Sequence, residues 1–430
     1  MKDMGWVMEY LANDFGAYKL HLIKTNKFKT ITIRVSFREK IIKENITIRN
    51  ILCDMFTQST KKYPNKRNLT IKAQNLYAAD IQTTNSRLGN YITTDIYLSV
   101  LNDKYTETGN FKDAFMFLME IIFNPDINNS EFNKEKLDIV KTSCRDSLTS
   151  IKEDPAHYSL IKLLEIMNKN NPSGYSMMGY LDDLDKIDGK KLYTYYLNML
   201  KTNFVDIYVI GDINFNEMKD LVKDNFNIYT LKKIKVSYLL DDIKPRIKKS
   251  INKEKTDNSQ AKLSIGCRIN NLNSYERNYP LTLYNVILGG GCDSKLFREV
   301  REEKSLCYTI NSVPNKLDNL IIIRAGIDNS NFDKTMNVIE KCISDMKKGN
   351  FTDNDIKIAK EYYNTALDDV LESQSRIIEN YFLSDIIGTD TIDVKRKLMN
   401  EVTKEEIVKV AKKIKIDTVF LLEGDNNERN

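Results

Sequence analysis

Arg301 and Tyr308 lie seven residues apart in the segment FREVREEKSLCYTI at 297–310. The segment begins as a charged amphipathic helix and continues as an apolar strand, so a guanidinium and a phenol flank one corner of the chain. A phenolic hydroxyl can donate to an oxyanion, and a guanidinium can hold a substrate carbonyl. On residue type alone, the commoner interpretation is a solvated helix arginine followed by a core tyrosine.

The residues before this corner, LGGGCDSK, place three consecutive glycines after an apolar helix. They do not form a phosphate-binding loop, because no Gly-Lys pair follows the glycines and a helix rather than a strand precedes them. Gly289, Gly290 and Gly291 instead predict a mobile helix terminus that lets another chain approach its backbone closely.

Composition excludes several classes of function. The 430 residues are 41% hydrophobic and 29% charged, with a net charge of +5, which is typical of a folded globular chain. Without a basic tail or an arginine-rich run, we expect no nucleic-acid partner. No apolar run approaches the length of a membrane helix, and we identify no signal peptide. We therefore expect no membrane span and a cytoplasmic location, and six cysteines without a C-x-x-C pair favour free thiols.

Histidine is scarce, since the chain contains only His21 and His157. This excludes a histidine-rich metal site, and no Cys/His spacing suggests a structural zinc site. His21 lies in the alternating stretch KLHLI, which we interpret as an ordinary strand position. His157 follows EDPA at a predicted helix start, where we interpret it as a surface or packing residue.

The chain contains two similar halves. Each half has an apolar strand, a polar gap and then an apolar helix, and each ends on an apolar strand followed by Gly-Asp. The corresponding segments are 30–37, 48–60 and 205–212 in the first half and 261–269, 281–291 and 418–425 in the second. This pattern predicts a duplicated α+β unit of roughly 200 residues.

Each half is predicted to be a mostly antiparallel sheet with helices packed on one face, which is an α+β fold. Segments 130–154 and 352–382 have the 3.6-residue period of amphipathic helices, whereas 90–101 and 319–327 have the composition of strands.

A polar, lysine-rich segment at 231–260, which contains Pro245, predicts a linker between the halves. The sequence thus predicts an N-terminal domain at 1–230 and a C-terminal domain at 261–430.

The whole stretch LGGGCDSKLFREVREEKSLCYTINS at 288–312 resembles the C-terminal-half signature of pitrilysin/insulinase-type zinc peptidases, in the class of the mitochondrial processing peptidase. In that family a glycine loop precedes a helix with an Arg, and a Tyr follows seven residues later on a strand. Arg301 and Tyr308 match that pair, and the resemblance covers roughly residues 15–425. It implies that Arg301 and Tyr308 bind a substrate carbonyl and the oxyanion, and that Gly289–Gly291 contact the substrate.

By the same resemblance, the zinc motif H-x-x-E-H of the family falls on NILCD at 50–54. Asn50 and Asp54 stand in place of the two histidines, and Cys53 stands in place of the glutamate base. Thr142 replaces the third ligand, since Glu135 fits only a neighbouring acidic position. Cysteine plus aspartate is a poor zinc set without further soft ligands. We therefore predict a degenerate zinc site and no metal in this chain.

N-terminal segments such as YPNKRNLTIKAQNLYAADI resemble a bacterial inactive subgroup labelled YfmF-like. The resemblance implies a non-catalytic subunit of a heterodimeric zinc metallopeptidase, inactive alone. A homologous partner would carry an intact H-x-x-E-H and the zinc, and Arg301 and Tyr308 would act in trans on a peptide substrate. Two alternatives stay open: a catalytically silent peptide-binding or structural scaffold, and an enzyme with Cys53 or Cys307 as nucleophile. No histidine is placed to support the second.

Overall fold

The structure is a computed structural model that describes residues 8–228 and 236–424. Its strands are β1 (Met8–Asp14), β2 (Lys19–Thr25), β3 (Thr30–Lys40), β4 (Asp80–Leu88), β5 (Tyr91–Leu101), β6 (Ile127–Asn128), β7 (Glu131–Phe132), β8 (Phe204–Gly211), β9 (Ser250–Lys255), β10 (Ala261–Ile269), β11 (Cys307–Asn315), β12 (Leu320–Ile327) and β13 (Ile414–Glu423).

Its helices are α1 (Ile46–Met55), α2 (Lys66–Asn75), α3 (Asn110–Phe123), α4 (Lys134–Thr149), α5 (Pro155–Met167), α6 (Leu181–Leu184), α7 (Gly189–Thr202), α8 (Phe215–Asn225), α9 (Ser274–Asn278), α10 (Pro280–Gly289), α11 (Phe332–Lys348), α12 (Asp353–Val370), α13 (Gln374–Ile387), α14 (Ile392–Glu401) and α15 (Lys404–Lys412). No helix in the described ranges is both long and apolar enough to cross a membrane.

The chain forms two compact units. The first comprises residues 1–149, 177–237 and 371–386, and the second comprises residues 150–176, 238–370 and 387–430. Each half of the chain therefore contributes one segment to the unit built mainly from the other half. Sequence periodicity did not predict this exchange, because an amphipathic helix indicates that one face is buried but not which sheet buries it.

A six-stranded sheet organises the first unit, in the order β1-β2-β8-β3-β5-β4. Its neighbours are antiparallel except for the parallel pair β2–β8. Alternate residues of β3, such as Ile33 and Val35, point into a large apolar core that includes residues of α1 and α3. The predicted α+β fold and its mostly antiparallel sheet are confirmed in this unit.

The opposite face of this sheet carries polar residues of β3, including Arg34 and Arg38, together with Ile23 and Tyr208. Helix α13 covers this face by packing Ile377, Ile378 and Phe382 against Ile23, Tyr208 and Ile210. Its first residue, Gln374, donates hydrogen bonds to the carbonyls of Thr30 and Ile210. A helix from the second half of the sequence thus completes the first sheet.

The second unit contains a five-stranded sheet in the order β11-β12-β10-β13-β9. Residues such as Leu263 and Ile265 of β10 face the main core of this unit. Helix α5 covers the other face, where Leu163 packs with Phe420 and Leu422. Here a helix from the first half of the sequence completes the second sheet.

Two predicted segments need correction. Residues 250–255 of the predicted linker 231–260 form β9, which pairs in parallel with β13 and so belongs to the second sheet; residues 231–235 lie outside the described ranges. The single helix predicted over 352–382 is wrong, because it divides into α12 and α13. The division occurs where the chain passes from the second unit to the first.

Candidate functional site

Arg301 lies in a π-helical turn, Phe297–Glu302, that follows the glycine loop. Such widened turns are rare and often occur at functional sites. The Arg301 side chain is exposed, and its guanidinium carbon lies 4.6 Å from the centre of the Phe297 ring. Ser305 closes the corner with a φ of +51° and donates its N–H to the Arg301 carbonyl over 3.1 Å. The backbone therefore fixes the point at which the helix ends and the strand begins.

Tyr308 lies at a register shift near the start of β11, an edge strand that pairs only with β12 among the described strands. Its side chain is 59% exposed, so the interpretation as a core tyrosine is wrong. The hydroxyl donates to Asp328 Oδ1 over 3.3 Å. Arg301 and Tyr308 thus both face solvent at the same helix-to-strand corner, although no hydrogen bond joins them.

The three glycines of the loop have different environments. Gly289 is buried, and a Cβ at this position would lie 2.6 Å from Ser312 Oγ of β11. A Cβ at Gly290 would meet the backbone of Val286 at 2.8 Å, whereas a Cβ at Gly291 would meet nothing within 4 Å. The predicted substrate contact is therefore corrected at Gly289, which serves close packing against β11, while Gly291 is open to a ligand.

A cleft of about 120 Å³ opens beside this loop. The loop residues Gly291, Cys292 and Ser294 line it on one side, and Asp355 and Tyr362 of α12 line it on the other. The exposed end of the glycine loop thus borders a concave surface of the second unit.

Asn50 lies on α1 in the first unit, where its side chain is held by protein groups. Its Nδ2 donates to the Met177 carbonyl over 2.9 Å, and its Oδ1 accepts from Asn85 Nδ2 over 2.8 Å. Asn85 in turn accepts from Thr94 Oγ1 over 2.6 Å. Sequence reasoning missed Asn85, because β4 is distant in sequence and only the fold brings it to α1.

Cys53 and Asp54 do not form a metal site with Asn50. Cys53 is buried, and burial raises the pKa of its thiol to about 12. Asp54 lies at the surface, where neighbouring atoms partly desolvate its carboxyl and raise its pKa, opposed by Lys66. A zinc-binding thiol must ionise, so the surroundings of Cys53 disfavour this role.

Thr142 and Glu135 lie on α4 and are both exposed. Thr142 Oγ1 donates to the Asp138 carbonyl of its own helix over 2.9 Å, and Glu135 lies 3.6 Å from Lys136. Together with the amide at position 50 and the protonated thiol at position 53, these side chains do not fit the zinc that the family resemblance implies. The predicted degenerate site is consistent with this chemistry.

Buried thiols also disfavour a cysteine nucleophile. Burial raises the pKa of Cys307 to about 11, although the nearby Arg301 opposes the shift. A nucleophilic cysteine needs a lowered pKa and a neighbouring base, and neither Cys53 nor Cys307 has these surroundings.

A second polar cluster, in the first unit, was missed by sequence reasoning. His21 of β2, Asp206 of β8 and Asp385 of α13 bring one ligand-type atom each to within 4.8 Å of one another. His21 was interpreted as an ordinary strand residue because its partners are distant in sequence. The available signal was Asp206, a carboxylate within the apolar strand VDIYVIG.

Comparison with known proteins identifies related chains. Residues 186–363 match the family described as Peptidase M16 inactive domain. The chain is 27% identical to the probable inactive metalloprotease YmfF of Bacillus subtilis, over 98% of this chain and 99% of that protein. It is 24% identical to the uncharacterized zinc protease YmxG of the same species, over 85% of this chain and 88% of that protein.

The fold is also similar to a crystal structure of a conserved protein from Enterococcus faecalis V583. The TM-score is 0.91 at 26% identity, over 97% of this chain and 99% of that chain. The similar inactive protein is YmfF, so the name YmfF-like corrects the subgroup label YfmF-like used above. The similarity to YmfF and to the Enterococcus faecalis protein extends over almost the full length of the chain.

Proposed function

We propose that this chain, which matches the Peptidase M16 inactive domain over residues 186–363 and is similar to the probable inactive metalloprotease YmfF, is the non-catalytic subunit of a heterodimeric zinc metallopeptidase. A homologous partner with an intact H-x-x-E-H motif would provide the zinc and the general base. This chain would provide Arg301, Tyr308 and the open end of the glycine loop. We place the pair in the cytoplasm and assign it peptide substrates.

The observation that carries the proposal is a contrast between the two units. In the NILCD segment, Asn50 and Cys53 are not available to zinc, since the Asn50 amide is bonded to protein groups and the Cys53 thiol is buried and protonated. By contrast, Arg301 and Tyr308 extend into solvent from a backbone corner fixed by hydrogen bonds. Polar donors exposed on a chain whose NILCD segment does not fit zinc are suited to complete the site of another chain.

The proposed role requires only that Tyr308 and Arg301 donate hydrogen bonds to the substrate. Hydrolysis of a peptide places negative charge on the scissile carbonyl oxygen, and the Tyr308 hydroxyl can donate to it after leaving Asp328. Arg301 can hold a neighbouring substrate carbonyl through its guanidinium N–H groups. One such oxyanion donor contributes about 2.7–4 kcal/mol of transition-state stabilisation.

The position of β11 supports an extended peptide as the substrate. β11 is an edge strand of the second sheet, and a peptide could pair with its exposed end around Tyr308, whereas the Ser312 carbonyl already accepts from Asn285 Nδ2 of α10 over 3.1 Å. A peptide added at this edge would run past Tyr308 and towards the loop at Gly291. In this arrangement the backbone supplies affinity and Tyr308 supplies the oxyanion contact.

The proposal is tested by purifying the tagged chain from its source cells with whatever co-purifies at one-to-one stoichiometry. The expected companion is a chain of similar size with an intact H-x-x-E-H motif. Cleavage of a quenched-fluorescent peptide library by this complex, and by neither chain alone, would support the split site. Recovery of the chain alone, or with proteins that lack the motif, would favour the scaffold.

The residue-level test is Tyr308→Phe in the assembled complex. We expect kcat to fall by roughly 10²–10³-fold while the complex still assembles. Tyr105→Phe is the matched control, because it also removes an exposed phenolic hydroxyl, 52% exposed, from the other unit. Unchanged turnover in the Tyr308→Phe complex would remove the proposed catalytic contribution.

A further inference from the structure

The cluster formed by His21, Asp206 and Asp385 lies on the face of the first sheet that α13 covers. His21 and Asp206 are fully buried on the adjacent parallel strands β2 and β8, and Asp385 reaches the cluster from α13 with its side chain 25% exposed. Within residues 8–228 and 236–424 this is the one set of three His, Cys, Asp or Glu side chains close enough to share an ion.

Each of the three side chains is oriented by a second interaction. His21 Nδ1 and the Tyr10 hydroxyl share a hydrogen bond of 2.7 Å. Asp206 Oδ2 accepts from Arg38 Nε over 3.1 Å, and Asp385 Oδ2 lies 3.4 Å from Lys19 Nζ. Metal ligands in proteins are commonly held in this way through the atom that does not bind the ion.

His21 Nε2 and Asp206 Oδ1 lie near one another, but no well-formed hydrogen bond joins them. His21 Nε2 is buried and has no hydrogen-bond partner. It lies 3.4 Å from Asp206 Oδ1, which is long for a hydrogen bond. Ligands around a tetrahedral ion with bonds of about 2.0–2.1 Å are separated by about 3.3–3.4 Å. The observed spacing therefore suits a shared ion without rearrangement of the strands.

Two further buried polar atoms lie on the same face. The Tyr208 hydroxyl and Ser36 Oγ also lack hydrogen-bond partners. Tyr208 stacks on the His21 ring at 4.1 Å, and Ser36 is paired with Asp206 across β3 and β8. A bound ion or water at this carboxylate would give these unsatisfied polar atoms a partner.

We propose that His21, Asp206 and Asp385 bind a divalent first-row transition-metal ion, of which Zn²⁺ is the natural candidate. One imidazole nitrogen and two carboxylates suit Zn²⁺ or Mn²⁺ better than Mg²⁺, which prefers water and an all-oxygen shell. The two carboxylates would share their charge between the ion and the cations Arg38 and Lys19, and solvent at the rim near Asp385 can complete the coordination. The ion fastens α13 onto β2 and β8, and it takes no part in the proposed peptide hydrolysis.

The test is a Zn²⁺ titration of the full chain by isothermal calorimetry after treatment with a chelator. We expect one Zn²⁺ per chain and a rise in the melting temperature that Mg²⁺ does not produce. Asp385→Asn, a change at the solvent-exposed rim, is expected to weaken Zn²⁺ binding at least tenfold. Glu372→Gln is the matched control, because Glu372 is also a carboxylate near α13 and lies 2.6 Å from Lys27, which lies between β2 and β3.

Two further variants test whether Zn²⁺ binds at this cluster or at the NILCD segment. The combined change Asn50→Ala, Cys53→Ser and Asp54→Asn is expected to leave Zn²⁺ binding unchanged, because that segment is not the site. His21→Gln is expected to weaken binding at least tenfold, with an unchanged circular dichroism spectrum. The proposal is overturned if no saturable Zn²⁺ binding occurs, or if binding survives both Asp385→Asn and His21→Gln. His21 and Asp206 would then form only a buried contact between β2 and β8.

Discussion

Asn85 Nδ2 lies 2.8 Å from Asn50 Oδ1, so an amide on the edge strand β4 holds the α1 residue that we predict to replace a zinc-binding histidine of the resembling family. The same Asn85 nitrogen also donates to the Arg49 carbonyl over 3.2 Å. The backbone carbonyl of Met177 accepts a hydrogen bond from Asn50 Nδ2 over 2.9 Å. Asn50 thus connects α1 with β4 and with the segment at Met177, all within the first unit.

Asn85→Ala should therefore destabilise the first unit. The change removes the donor to Asn50 and the acceptor for Thr94, which leaves partly buried polar groups without partners. We expect a loss of about 1–2 kcal/mol in the free energy of unfolding, measured by urea denaturation with circular dichroism. Thr84→Val, at an exposed neighbour on the same strand, is the control. Equal stability of Asn85→Ala and wild type would contradict this role.

Thiol reactivity should distinguish Cys292 from the buried cysteines. Cys292 is exposed, whereas burial raises the pKa of Cys53 and Cys267 to about 12 and of Cys307 to about 11. Because the thiolate is the reactive species, native protein at pH 8 should show one fast reaction with a chromogenic disulfide. Cys292→Ser should abolish that phase. A second fast thiol, mapped to Cys53 or Cys307, would support the cysteine-nucleophile alternative.

Gly289 and Gly291 of the loop should respond differently to a single added methyl group. Gly289→Ala places a Cβ 2.6 Å from Ser312 Oγ and 2.9 Å from its backbone nitrogen, so the contact between α10 and β11 must open. We expect a loss of about 1–3 kcal/mol. Gly291→Ala meets open space and should change stability by less than about 0.5 kcal/mol. Thermal melts of the two variants check this, and equal melting temperatures would refute the assigned packing role of Gly289.

Stability of the second unit should depend on pH through Glu276. Burial alone would raise the pKa of this carboxyl, but hydrogen bonds from Lys413, the Asn273 N–H and Lys409 lower it to about 2. A lowered folded-state pKa gives stability that is present above the unfolded value near 4.5 and is lost as the pH falls towards 2. We expect a contribution on the order of 1–3 kcal/mol.

The measurement is urea unfolding of wild type and Glu276→Gln from pH 7 to pH 2.5. Wild type should be more stable at pH 7, and the difference should shrink below pH 4.5. Glu302→Gln, at an exposed position, serves as the control. A difference that stays constant across this range would show that ionisation of Glu276 does not stabilise the fold.

The strands and most helices were predictable because burial of one face makes apolar residues recur with a regular spacing along the sequence. The predicted strand at 261–269 coincides with β10, and the helix at 281–291 corresponds to α10. The break between α12 and α13 was not predictable, because LESQS contains neither proline nor glycine. Tertiary contacts stabilise this break instead, including the hydrogen bond from Lys27 Nζ to the Leu371 carbonyl over 2.8 Å.

The candidate site was predictable only where its residues are neighbours in sequence. Arg301 and Tyr308 are joined by one corner, so their common exposure follows from local structure. His21, Asp206 and Asp385 come from three separate elements, and only strand order and the placement of α13 bring them together. A lone strand histidine carries no sequence signal for such a cluster.

The reciprocal placement of α5 and α13 has a consequence for how the chain can be divided. Each half of the sequence, expressed separately, would leave one sheet face bare, including Tyr208 in the first unit and Phe420 in the second. Each fragment would also carry a helix whose binding face belongs to the other fragment. Two such fragments are expected to reassemble by complementation when mixed. In this respect the molecule corresponds to a domain-swapped dimer whose two protomers are joined into one polypeptide.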